Sequence, residues 1–126
     1  MAEGFRVAIG SGSCRRRHLT GVQAEVCSLI EGRLSQLQSL GADALSSLPA
    51  ESTQELQVGG CAVELSVLNE IVQGQRLVVV HAFIHTWRWP TFLSFSALGH
   101  VLAEGLLVHA SGSIESAPDA LLWGFR

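Results

Sequence analysis

The chain contains no lysine and no tyrosine, and all eight basic residues are arginine. A Schiff-base enzyme or a Walker-type phosphate loop needs a lysine amine, so both are excluded. Charge is scarce as well. Charged residues make up 15 % of the sequence, against about a quarter in an ordinary soluble domain. So little water-loving surface points to an oligomer. The net charge of −3 argues against a general nucleic-acid binder, which is normally basic. Three cysteines, Cys14, Cys27 and Cys61, are too few and too scattered for a disulfide framework, so a reduced protein is expected. The N-terminus has no apolar core behind a basic region, so no secretory signal is expected. The longest uncharged run, Trp89 to Ala103, falls short of the ~20 residues that cross a bilayer. Together these absences predict a soluble, cytoplasmic protein with no membrane or nucleic-acid partner.

Hydrophobic residues make up 48 % of the 126 residues, enough for one domain with a real core. The centre of the sequence is Gln75 to Trp87, rich in β-branched and aromatic residues and free of Gly and Pro. That composition predicts a strand. Leu77, Val79, His81, Phe83, His85 and Trp87 alternate onto one face; Val78, Val80, Ala82, Ile84 and Thr86 take the other. A strand apolar on both sides has to be covered on both.

Residues 1–18 are expected to be a lead-in, with Phe5 to Ile9 able to add a short edge strand and Gly10 to Ser13 a flexible link. Residues 19–126 are expected to form a single α+β domain. Cys14-Arg15-Arg16-Arg17-His18 is a small positive cluster without interleaved aromatics, read as a solvated approach to a helix. Thr20 is a suitable N-cap. Val22, Val26, Leu29, Ile30, Leu34, Leu37, Leu40, Leu45 and Leu48 then recur at helical spacing, predicting an amphipathic helix of roughly seven turns. Gly41 marks a bend or early end, and Pro49 terminates it. Thr53 to Val58 and Cys61 to Leu68 alternate around Gly59-Gly60, a hairpin signal. Pairing Val58 with Cys61 gathers Leu56, Val58, Cys61, Val63, Leu65 and Val67 on one face for the helix to cover. Gln73-Gly74 turns the chain into the central strand, and Trp89-Pro90 closes it. Phe92 to Glu104 fits either a short helix or part of a fourth strand; the strand, from about Ala97 to His109, is preferred. Ser116-Ala117-Pro118-Asp119 starts a short terminal helix docked by Leu121, Leu122, Trp123 and Phe125.

The predicted fold is therefore α+β: an antiparallel four-stranded meander with one long N-terminal helix on one face and a short C-terminal helix. In element order it resembles the cystatin-like layout. The motifs of that family are absent: Gln57-Val58-Gly59 is not Gln-x-Val-x-Gly, and Trp89-Pro90 reverses the Pro-Trp pair. No function is carried over.

No catalytic motif emerges. His81 and His85 have the spacing of a helical zinc pair, but on a strand they stand about 13 Å apart, too far for one ion. No metal or other cofactor is expected. Cys27 and Cys61 read as small buried hydrophobes. Gly10 to Ser13 lacks a phosphate-loop ending. What remains is an aromatic and histidine face, Leu77, Val79, His81, Phe83, His85 and Trp87, with Arg88 and His100 nearby. A flat sheet face makes a poor pocket and a good subunit interface, so the expectation is a homodimer through that face. The alternative is a small-molecule-binding protein or small enzyme, with His81, His85, Trp87, Arg88 and His100 around a cleft.

Overall fold

The structure, a computed structural model, describes residues 5–12, 14, 21–87 and 95–122. A strand β1 (Phe5–Gly12) precedes a 20-residue helix α1 (Gly21–Leu40) and a short helix α2 (Ala42–Ser46). Strands β2 (Glu51–Val58), β3 (Cys61–Val72), β4 (Gln75–Trp87) and β5 (Phe95–Val108) follow. A three-residue strand β6 (Ile114–Ser116) and a four-residue helix α3 (Asp119–Leu122) complete the described chain. The α+β class, the antiparallel meander β2 to β5, the long helix on one face and the short C-terminal helix are as the sequence predicts.

Among the described residues the sheet has six strands rather than four, in the order β1-β5-β4-β3-β2, with β6 also on β5. Strand β5 is the reason. At 14 residues it presents a long outer row of backbone N–H and C=O groups that want partners. The parallel β1 takes its first half, Phe95 to Leu102, and the antiparallel β6 takes Leu106 to Val108. Gly10 to Gly12 therefore belong to a strand and not to a flexible link.

The single long helix of the sequence reading is broken at Gly41, whose φ of +86° is left-handed, a conformation natural to glycine. Val26, Ile30 and Leu37 form the buried stripe of α1, and Leu45 of α2 joins the same core. Leu29 and Leu40 were expected in that stripe but are 40 % and 53 % exposed, off to its side and at the helix end. Behind α2, Asn69 fastens the connection. Its amide donates to the carbonyls of Leu45 (3.2 Å) and Leu48 (3.0 Å), and its oxygen accepts from Arg76 at 2.7 Å.

The hairpin pairs Val58 with Cys61 as the alternation requires, and Gly59 and Gly60 both take positive φ, the signature of a type I′ turn. The face carrying Val58, Val63, Leu65, Val78, Val80, Ala82, Ile84, Leu102 and Leu106 packs on α1. The opposite face is also covered, over part of its length, by the chain's own C-terminal segment. There Ala117 and Leu122 lie on Leu77, Val79, Ala103 and Leu107. Gly105 lets that segment approach: a Cβ there would stand 2.9 Å from the Val78 carbonyl oxygen and 3.1 Å from Leu122 Cδ2.

Candidate functional site

Opposed residues on neighbouring strands share a face, so the register decides which of the predicted site residues meet. On the face away from α1, Glu64 lies opposite Phe83, Ser66 opposite His81, and Gly99 opposite His85. His85 Nε2 stands 3.4 Å from Glu64 Oε2, with both side chains largely shielded from water. The Phe83 ring meets His85 edge-on at 4.8 Å. Glu55 is paired directly with Glu64, so two carboxylates and one imidazole share this patch. A proton on His85 would offset the repulsion between the two acids. Thr53 and Ser66 share a hydroxyl hydrogen bond of 3.0 Å alongside.

The candidate residues do not form one surface. Leu77 and Val79 are fully buried inside the single chain, and Phe83 retains 5 % exposure. The face expected to be left bare for a second subunit is thus already covered at these positions. His81 is half-buried, and Trp87 closes β4 opposite Leu98. Arg88 lies outside the described residues, as do Thr20, Trp89-Pro90, Trp123, Phe125 and the arginines that follow Cys14. His100 is corrected outright. It pairs with Ile84, a residue of the α1 core, so it faces away from His81 and His85. Glu104 pairs with Val80 and also faces α1, which separates it from Glu64. His109 sits at the other end of β4, held by Gln75 at 2.7 Å and Glu115 at 2.9 Å. Among the described residues no group of three metal-binding side chains comes together.

The cysteines also depart from expectation. Cys14 and Cys27 are joined in a disulfide across 13 positions, and Cys61 is free. Cys14 donates its backbone N–H to Glu104 Oε2 at 2.9 Å. A hollow of about 200 Å³ lies here, lined by Glu31, Glu104, Gly105 and Ser116, beside the gap that β1 and β6 leave along β5. The linkage is invisible in sequence because it depends on which position of α1 lies beside Cys14, and Cys27 is on the buried side of that helix.

The other feature that the sequence pattern does not single out is the free edge of the sheet. Among the described residues β2 has one neighbour, β3, and its register runs from Glu51–Leu68 to Val58–Cys61 without a bulge. Natural edge strands are usually guarded by charged side chains, Pro, a bulge or a covering loop; β2 has no Pro and no irregularity, and its charged residues are Glu51 and Glu55. Residues 51–55 are all exposed. Between this edge and α1 runs a groove of about 330 Å³ past Leu29, Arg33 and Leu56, continuing into a smaller hollow of about 130 Å³ beside Ser52 and Gln54. Arg33 donates to Gln54 Oε1 at 3.1 Å across it. The signal was present in the sequence: Glu-Ser-Thr-Gln-Glu-Leu-Gln-Val is polar on both alternating faces over its first five residues, as suits a strand with one side in water.

No known protein family, curated protein or solved structure matches the chain.

Proposed function

We propose that this chain is an interaction domain that self-associates, and that a sheet edge rather than a sheet face makes the contact. The observation that carries the reading is β2, an unbulged eight-residue strand with one neighbour among the described residues. A row of unpaired backbone groups is a template for another strand. The low charged fraction, 15 %, is in keeping with a surface that does not spend its life fully hydrated. The face-to-face homodimer expected from the sequence has lost its main support, because Leu77, Val79 and Phe83 are buried within one chain. The small-molecule cleft loses His100 to the other face.

Sedimentation velocity of the full chain from nanomolar to tens of micromolar tests the proposal. A species of twice the chain mass that dissociates on dilution is the expected result; a monomer throughout the range overturns it.

For location, no described helix is long and apolar enough to cross a membrane. Cytoplasmic residence, the expectation from sequence, sits poorly with the Cys14–Cys27 disulfide, since such bonds persist mainly in oxidising compartments. The reading that accompanies the bond is an oxidising location. Alkylation without reductant, followed by mass measurement, should then label Cys61 alone; labelling at Cys14 and Cys27 in freshly isolated protein would restore the cytoplasmic expectation.

A further inference from the structure

The partner that the β2 edge fits best is a second β2. We infer that two copies join their sheets by antiparallel β2–β2 pairing, about a two-fold axis that runs perpendicular to the sheet between Gln54 and its copy. This rests on the self-association proposed above and names its surface and register.

The backbone fixes which groups are on offer. Asn69 donates its N–H to the Ala50 carbonyl at 2.9 Å, so Ala50 is turned toward β3. Hydrogen-bonding direction alternates along an antiparallel strand. Ser52, Gln54, Leu56 and Val58 are therefore also turned inward, as the Val58–Cys61 pair that closes the hairpin requires. Glu51, Thr53, Glu55 and Gln57 present their N–H and C=O groups outward.

A two-fold axis perpendicular to the sheet puts both α1 helices on the same side, so each residue must oppose one on its own face. That leaves few registers. Centring on Glu55 sets Glu55 against its own copy, and centring on Thr53 sets Glu51 against Glu55. Like charges directly opposed are destabilising. Centring on Leu56 avoids such clashes but leaves half of the outward backbone groups unpaired. Centring on Gln54 sets Glu51 against Gln57 and Thr53 against Glu55, and every outward group from Glu51 to Gln57 finds a partner. On the α1 face the same register sets Ser52 against Leu56. The small serine borders the hollow of about 130 Å³, and the larger leucine of the other copy would enter there. Charge, hydrogen bonding and side-chain size thus select one register, and that self-complementarity favours a second copy over a foreign strand.

The opposite edge is less suited. The pairing of β1 with β5 shifts register between Phe5 and Arg6 and again between Ala8 and Gly10, so its outer row of groups is irregular.

The test uses the full chain with Cys61→Ala, carrying single cysteines at positions 53–56 in turn. Mild oxidation should join Gln54→Cys to its own copy at least tenfold faster than Thr53→Cys, Glu55→Cys or Leu56→Cys. Separately, Thr53→Glu, an exposed change that sets a carboxylate against Glu55 of the other copy twice over, should weaken association at least tenfold, and Thr53→Pro, which removes an outward N–H, should abolish it. A dimer that keeps its affinity in both variants and shows no preference for Gln54→Cys overturns the edge inference while self-association stands. A monomeric parent chain overturns both. A parent chain that stays monomeric but protects its β2 amides from hydrogen exchange on adding an unrelated extended peptide would show a foreign strand as the true occupant, and also overturns the inference.

Discussion

On one side of β4, Val78, Val80, Ala82 and Ile84 lie under the 20-residue helix α1. On the other, Leu77 and Val79 are covered in part by the four-residue helix α3. Burial is equally complete, for Val78, Val80, Leu77 and Val79 are all inaccessible to water. The means are not equal. The α1 side is fastened three ways: by a continuous apolar stripe, by the Cys14–Cys27 disulfide, and by Asn69 holding the Leu45 and Leu48 carbonyls. The described cover on the other side is one short segment late in the chain, admitted by Gly105. Equal burial therefore does not imply equal stability. Opening the α1 side means global unfolding, whereas the α3 side can open locally.

The comparison is tested most sharply by two truncations of fully buried residues, Ile30 and Leu122. Ile30→Ala should cost about 4 kcal/mol of global stability and Leu122→Ala about 2 kcal/mol, because the short segment can resettle over its cavity. Urea denaturation measures both. Equal losses would mean that the C-terminal segment is as integral as α1. The disulfide comes next. Cys14→Ser opens a loop of 13 positions, for which loop-closure entropy predicts a loss of about 3 kcal/mol. Dithiothreitol should lower the stability of the parent chain by a similar amount and leave the variant unchanged. Asn69→Ala should cost about 2 kcal/mol by leaving the Leu45 and Leu48 carbonyls without their donor. Hydrogen exchange should locate the loosening around α2 rather than α3.

The same contrast explains what could be read from sequence. The α1 side was legible because it rests on repetition: a helical stripe from Val22 to Leu37 and alternation from Leu56 to Val67 select one another whatever the details. Gly41 was legible as a bend or early end in a helix otherwise read through to Pro49, and the hairpin was legible as a pair, Gly59-Gly60. The other side depends on a few residues with no period. Ala117 and Leu122 reach Leu77 and Val79 only because Gly105 leaves room, and β6 is three residues long, too short to leave a pattern. The candidate site suffered from the same limit. His81 and His85 were placed correctly on one face by alternation within a strand. The side of the sheet taken by His100 was not legible, because relating it to β4 needs the β4–β5 register, which one residue of slip would reverse. Glu64 was missed as the partner of His85 for the same reason.

The smallest effect concerns a conflict built into the face away from α1. Glu55 and Glu64 are directly paired, and Glu64 also meets His85. A like-charge pair on adjacent strands opposes folding by about 0.2–1 kcal/mol. Glu55→Gln removes the conflict without disturbing the Glu64–His85 contact. It should therefore stabilise the monomer by about 0.5 kcal/mol at neutral pH. The gain should shrink in high salt, which screens exposed charges. Measured by denaturation at concentrations below self-association, a neutral or destabilising outcome would mean that Glu55 is held away from Glu64 despite their register, and that this patch carries less electrostatic tension than the pairing implies.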